Sequence, residues 1–502
     1  MSTRCSRSLA PRTPATEPTR SDTRSHLMTS PHDLFIDGQW RPASDGRRFA
    51  VHDPADGSEL AQFAAATEAD CLAAVDAAAD ALAGWSATPP RQRSELLRAT
   101  FEVLTEEREQ LAALITAENG KAYADAIGEA TYATEFFRWF AEEAVRIGGD
   151  FRLSPSGDKT IVVRRDPIGV SILVTPWNFP AAMATRKIAP ALAAGCSVVL
   201  KPASQTPLTA AYVVDVLRRV GVPPGVVNLV TPVPAGPAVS AMLHHPAVRK
   251  LSFTGSTEVG RVLLHEAADQ VVSSSMELGG NAPFVVLPGA DVDAAVEGAM
   301  VAKMRNGGSA CTAANRFYVH DSLLDEFSTR MTAAMKAITM GPGADHANEL
   351  GALVSPEERD KVAGLVDRAV AEGANLTLGG DAAQGGAFYP PTVLTDVKHG
   401  SEINQTEIFG PVTAIVGFSD VDEAVEMAND TIYGLISYVY GDPAQALAVA
   451  QRIDSGMVAV NRGVLSDPAA PFGGTKQSGL GREGSSEGIL EFLEEKYIGI
   501  EV

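Results

Sequence analysis

Cysteine is scarce in this chain. It occurs four times in 502 residues, at positions 5, 71, 196 and 311, and no two are spaced as a CxxC pair. That leaves no disulfide framework and no cysteine-based zinc site, so no metal is expected and a reducing cytoplasm is the expected location. Positive charge is the second shortage: 41 Lys and Arg stand against 62 Asp and Glu, a net charge of −21. Nucleic acids and anionic membranes are held by basic surfaces, and this balance argues against both as partners. An anionic substrate would have to be drawn in by a local cluster of cations. Long hydrophobic runs are missing too. The longest, residues 188–200 between Lys187 and Lys201, is too short for a bilayer, which needs about 20 apolar residues. It reads as a helix end, a turn at Gly195 and a buried strand. The first thirty residues lack an apolar signal-peptide core and carry five arginines against only Glu17 and Asp22. Residues 1–33 are expected to be a disordered leader or the result of a start site placed too early, with Met28 a plausible true start.

What is present is the composition of a globular protein, 45% hydrophobic and 21% charged, too long for one core and expected to form two or three domains. Between residues 169 and 287, β-rich apolar runs (GVSILVT, SVVLKP, GVVNLV, RKLSFTG) alternate with helical patterns, the signature of a doubly wound parallel sheet. A second alternating set spans about 291–460, with helices at DVDAAVEGAMVAKM, PEERDKVAGLVDRAVAEG and DVDEAVEMAND and strands at RFYVH, ISYVYG and GMVAV. A helical region, about 68–148, precedes both; its repeated Ala, Leu and aromatic positions read as core. The ending ILEFLEEKYIGIEV reads as a short apolar strand with no partner of its own, available to the sheet edge of another subunit.

Two glycine-flanked segments carry the chemistry: MELGGNAPF around Glu277 and NGGSACTAANR around Cys311. A cysteine that attacks carbonyls needs close backbone approach and a nearby proton acceptor, because the thiolate is the nucleophile. The segments read equally well as two unrelated turns, one with a buried cysteine and the other with a solvated acid. Ligands of doubly wound sheets bind beyond the carboxyl ends of the strands. GVSILVT runs directly into Pro176-Trp177-Asn178, where the Asn178 amide could donate to an oxyanion or satisfy its own turn. The next strand ends in Lys201 and Ser204, a cation and a hydroxyl able to reach ribose oxygens. FTGSTEVG places Gly255 and Ser256 at a helix start, suited to an anion; it lacks the full GxGxxG, and a plain N-cap turn is as good a reading.

Together, PWNFP, KPASQTP, FTGSTEVG, MELGGNAPF, the Cys311 segment, EIFGP (407–411) and PFGG (471–474) resemble the aldehyde dehydrogenase superfamily in order and approximate spacing, from about residue 34 to the end. The resemblance implies an α/β fold with a Rossmann-type NAD(P) domain (34–147 and 164–280), an α/β catalytic domain (281–475) and a small β bridging unit for oligomerisation (148–163 and 476–502). It implies Cys311 as nucleophile, Glu277 as general base, and Asn178 with the Cys311 N–H as oxyanion hole. The cofactor contacts it implies are Thr175, Pro176, Trp177, Lys201, Ser204, Gly255, Ser256 and Leu278, with Glu407 and Phe409 on the nicotinamide side. A homodimer or homotetramer is implied as well.

Within the superfamily, FPAAMATRKIAPALAAGCSVVLKPASQTP, KMRNGGSACTAANR and SGLGREGSSEGILEFLEEKY most resemble succinate-semialdehyde dehydrogenases. That implies Arg186, Arg305 and Ser466 as a clamp on a substrate carboxylate; for each arginine alone, a plain ion pair is the competing reading. The implied reaction is NAD(P)-dependent oxidation of succinate semialdehyde to succinate through a thiohemiacetal and a thioester on Cys311. Alternatives are a glutarate-semialdehyde or broad aliphatic aldehyde dehydrogenase, or a catalytically silent structural protein on this fold. Three residues depart from the pattern: Ser309 replaces the usual Gln, Ala313 replaces a second cysteine found in many relatives, and Arg462 adds a cation where Glu or Thr is usual. Ser204 is small and neutral where NAD-preferring members carry Glu, so NADP is expected to be accepted alongside NAD.

Overall fold

The computed structural model describes residues 31–381 and 385–502. The expected leader lies outside the described residues up to position 30, as does Cys5. Among the described residues no helix is long and apolar enough to cross a membrane.

Eight strands form the first sheet, in the order Gly479–Leu480, Ser273–Glu277, Val248–Thr254, Val170–Val174, Val198–Lys201, Val227–Leu229, Leu34–Ile36, Gln39–Arg41. The five central strands are parallel. Chain order reverses between Val170–Val174 and Val248–Thr254, the switch point beyond which ligands of such sheets bind. Every residue of Val170–Val174 is buried, because helices cover both faces of the sheet. Its side chains alternate accordingly. Leu173 packs into a core with Phe136, Ile188 and Val213, while Ile172 and Val174 join the opposite core with Val75, Met242 and Met276.

The seven-stranded sheet runs Asn375–Leu378, Thr392–Thr395, Val412–Phe418, Ala314–His320, Ala282–Val286, Ile436–Tyr440, Met457–Val460; its pairs are parallel apart from the first, which is antiparallel. The strands and helices read in the two alternating sets fall in place, including Pro180–Ala194, the turn at Gly195 and Val198–Lys201 across the longest apolar run. The helical region resolves into Glu68–Ala87, Pro90–Glu106, Arg108–Asn119 and Tyr123–Glu143.

The C-terminal strand corrects one expectation. Leu493–Glu501 is not unpaired: it lies antiparallel to Lys159–Pro167, which also pairs Asp150–Leu153, forming a three-stranded sheet within the chain. A partner some 330 positions away, as between Arg165 and Glu495, leaves no local trace in the sequence. The limit drawn at 163 passes through the strand Lys159–Pro167, and Gly479–Leu480, within the segment from 476 on, pairs with Ser273–Glu277 in the large sheet.

The chain leaves the first sheet at Glu277, on its carboxyl edge, and enters the second at Ala282, on its amino edge. The two edges face each other, and the site lies between them.

Candidate active site

Gly280 brings the two glycine-flanked segments together. A Cβ at Gly280 would lie 2.3 Å from the carbonyl oxygen of Cys311, so only a residue without a side chain lets the Glu277 turn pack on the Cys311 loop. The loop itself is held in a rare conformation: Asn306, Gly307 and Gly308 have φ of 57°, 57° and 76°. Asn tolerates this region better than most residues, and the Asn306 amide fastens the turn by donating to the carbonyls of Asn178 (2.9 Å) and Ser309 (2.8 Å). A Cβ at Gly308 would come within 2.2 Å of the Gly410 carbonyl oxygen. Ser309, in place of Gln, still serves the loop, since its carbonyl also accepts from Asn178 Nδ2 at 3.2 Å and its hydroxyl donates to the Phe409 carbonyl at 3.4 Å. Ala313 is buried.

The Asn178 turn is anchored from residues 118–121, a segment the sequence reading passed over. Lys121 Nζ donates to the Asn178 carbonyl at 2.7 Å and pairs with Glu129 at 2.6 Å, both side chains buried. Glu129 accepts in turn from the N–H groups of Ala181 and Ala182, capping Pro180–Ala194. Asn119 Nδ2 donates to the Trp177 carbonyl, and Glu118 accepts from Leu208 and Thr209 at the start of Pro207–Arg219. Because Asn178 Nδ2 already bonds Ser309, its second N–H remains for another acceptor.

Burial pushes the Cys311 thiol up to about 12; Glu407 and Glu277 add to this and Arg186 and Arg305 oppose it. The resting group is therefore a thiol, although the residue keeps part of its surface open. Glu277, at the end of Ser273–Glu277, is likewise raised by burial and by Glu483, against Arg186, Lys187 and Arg482. Neither of its carboxylate oxygens has a hydrogen-bond partner among the described residues. Glu407 accepts from the Gly280 N–H at 3.1 Å and is raised to about 7 by burial. Phe409, at φ 58°, sets its ring edge-on to Trp177 with centroids 5.3 Å apart.

Arg305 and Ser466 are in contact, with Arg305 Nη1 3.3 Å from Ser466 Oγ and the guanidinium over the Phe179 ring. Arg186 is buried over the Phe472 ring at 4.1 Å. Its Nε stands 3.0 Å from Glu483 Oε2 but out of line for a hydrogen bond, and Nε and Nη2 have no such partner among the described residues. Lys187 holds the other oxygen of Glu483 at 2.5 Å. Glu483, Lys187, Lys121 and Glu129 are site-shaping residues that no local motif announces. Arg462 is exposed and bonds the Val464 carbonyl at 3.1 Å.

At the carboxyl edge of the first sheet the residues fit a nicotinamide dinucleotide. Thr175 donates its N–H to the Lys201 carbonyl, which ties the ends of neighbouring strands, and Pro176 follows. Thr254 Oγ1 is buried without a hydrogen-bond partner among the described residues. A Cβ at Gly255 would meet the Phe253 ring at 2.4 Å, so the backbone there stays open. Ser256 caps Thr257–Ala268, whose first N–H groups suit a pyrophosphate. Gly260 packs under Leu278. Burial lowers Lys201 to about 8, a shift that an adjacent anion would reverse. Ser204 lies apart from Cys311, in a cavity of ≈ 670 Å³ lined also by His52, Glu118, Gln205, Val233 and Arg359.

The chain matches the model of the aldehyde dehydrogenase family over residues 40–498. It is 49% identical over 443 residues to the succinate-semialdehyde dehydrogenase of Paenarthrobacter nicotinovorans, covering 88% of this chain and 98% of that protein. It is 47% identical to the 3-sulfolactaldehyde dehydrogenase of Pseudomonas putida, covering 92% and 96%. The crystal structure of an E. coli NADP-dependent enzyme superposes with a TM-score of 0.93 at 43% identity, covering 95% and 99% of the two chains. Motifs, fold and relatives agree, and the chain belongs to the aldehyde dehydrogenase family.

Proposed function

We propose that this protein oxidises an aldehyde carrying a terminal anion, succinate semialdehyde to succinate, with NAD or NADP. The observation that carries this reading is the cationic group around Cys311: Arg305 in contact with Ser466, and a buried Arg186 with an unpaired Nη2. Guanidinium groups bind carboxylates through paired donors, and they supply local positive charge in an otherwise acidic chain.

Cys311 releases its thiol proton to water, Sγ adds to the aldehyde carbon, and the oxygen takes up negative charge beside the free N–H of Asn178 and the Cys311 backbone N–H, a stabilisation worth several kcal/mol in such sites. When bound, the nicotinamide cofactor supplies the hydride acceptor. Gly255 and Ser256 would hold its pyrophosphate, Lys201 and Ser204 its adenosine ribose, Glu407 and Phe409 its nicotinamide half, with Thr175, Pro176, Trp177 and Leu278 lining the path. Glu277 then takes a proton from water, which attacks the thioester and frees Cys311. This reserves the eight-stranded sheet for the cofactor, the seven-stranded sheet for the nucleophile, and the three-stranded sheet for subunit pairing in a homodimer or homotetramer. A reducing cytoplasm suits a protein with an unprotected nucleophilic thiol, and Cys71 and Cys196 are also free.

The test is NAD(P)H formation by the purified protein with succinate semialdehyde, glutarate semialdehyde and butanal, each with both cofactors. The expected order puts succinate semialdehyde first, at least tenfold above butanal in kcat/KM, the factor that about 1.4 kcal/mol represents. Turnover with NADP is expected because Ser204 leaves room for the 2′-phosphate. Equal rates for butanal would favour a broad aliphatic enzyme, a maximum at five carbons a glutarate-semialdehyde enzyme, and no turnover a silent member of the fold.

A further inference from the structure

Tyr132 belongs to the helix Tyr123–Glu143, and its ring packs edge-on against Phe136 with centroids 4.9 Å apart. The ring is half-buried, but the hydroxyl is sealed from solvent and has no hydrogen-bond partner among the described residues. Leaving a buried hydroxyl unpaired costs about 1–3 kcal/mol, and buried tyrosines normally find a partner. The Arg186 guanidinium stands over the same Phe136 ring, 5.3 Å from its centroid, and the charges acting on this hydroxyl are those of Arg186 and Arg305, with Glu483 and the Cys311 thiol.

That environment is unbalanced in a particular way. Arginine has only donors to offer; Arg186 Nη2 has no hydrogen-bond partner among the described residues, and Arg305 donates to Ser466. The Tyr132 hydroxyl adds another donor to the same group. The acceptor there, Glu483, is already held by Lys187 and stands beside Arg186. Donors here outnumber acceptors, and an anion with several oxygens would balance them.

We infer that the Tyr132 hydroxyl donates a hydrogen bond to the terminal anionic group of the aldehyde, between Arg186 and Arg305, and so helps to select anionic over neutral tails. The inference rests on the reading of Arg186, Arg305 and Ser466 as the anion clamp. The hydroxyl brings direction rather than charge: the arginines attract any anion, while a single phenol donor fixes where one oxygen of that anion sits.

Tyr132→Phe keeps the ring and its Phe136 contact and removes a hydroxyl that bonds none of the described residues, so the thermal midpoint should hold or rise slightly. With succinate semialdehyde, kcat/KM should fall about tenfold, mostly through KM, since the lost bond holds the substrate before and during reaction alike. With butanal it should change less than twofold. Arg305→Leu, measured beside it, separates two kinds of failure. If Arg305→Leu discriminates between the aldehydes and Tyr132→Phe does not, the clamp stands and the role of Tyr132 is overturned. If wild type itself shows no preference for succinate semialdehyde over butanal, the clamp falls and this inference with it. Equal losses of Tyr132→Phe on both aldehydes would also overturn it, marking a packing role.

Discussion

Cys311 and Glu277 share a burial that works against both. The thiol is pushed up to about 12 by burial and nearby carboxylates, and Glu277 is raised by burial and Glu483. A raised carboxylate is protonated over a wider range and acts as a base only above its shifted value. Thioester hydrolysis should therefore climb with pH through the region above the ordinary carboxylate range. In Glu277→Gln that limb should vanish, and a burst of NAD(P)H should precede a slow steady state, because acylation depends on the carboxylate less than thioester hydrolysis does. Cys311→Ala should abolish oxidation of every aldehyde while the cofactor still binds. A steady-state rate unchanged in Glu277→Gln, or turnover by Cys311→Ala, would overturn these roles.

At the level of elements, the turn that carries Asn178 depends on a buried ion pair outside it. Lys121 and Glu129 are both fully enclosed, and Glu129 also caps Pro180–Ala194. Lys121→Met strands a buried carboxylate and should destabilise the protein by about 3–5 kcal/mol in urea unfolding. It should also lower kcat, because the carbonyl of Asn178 loses its anchor. Adding Glu129→Gln should restore part of that stability, and a single variant as stable as wild type would refute the account. This pair also marks the limit of what the sequence discloses. Strands such as Val170–Val174 are legible because their apolar runs end in turn residues, and Cys311 and Glu277 because glycines flank them locally. Lys121 and Glu129 look like two ordinary charges on a helical stretch. Lys187 meets Glu483 from 296 positions away, and Tyr132 reads as one more aromatic on a core-facing helix. In each case the meaning lies in a partner supplied by the fold, and periodicity records only the element to which a residue belongs.

On the scale of the whole molecule, the three-stranded sheet stands out for its open apolar surface: Phe151, Leu153, Tyr497 and Ile500 are 77%, 58%, 57% and 50% exposed. Exposed apolar groups on a sheet with free edges invite a second copy. Replacing Phe151 and Ile500 by Lys should yield smaller particles by light scattering with unchanged circular dichroism; an unchanged mass would mean that the subunits meet elsewhere. The same end of the chain bears on how the protein is made. Arg186 and Lys187 are buried against Glu483, and Leu493–Glu501 closes the sheet begun by Asp150–Leu153. A ribosome adding 5–20 residues per second needs about 15–60 s for the 296 positions between Lys187 and Glu483. For most of that time the two cations have emerged without their counter-charge and cannot be buried at tolerable cost. The charge balance of the site therefore waits on a residue made long after the nucleophile, and a nascent protein stalled between Cys311 and Glu483 has its thiol but not the carboxylate that balances the surrounding charge.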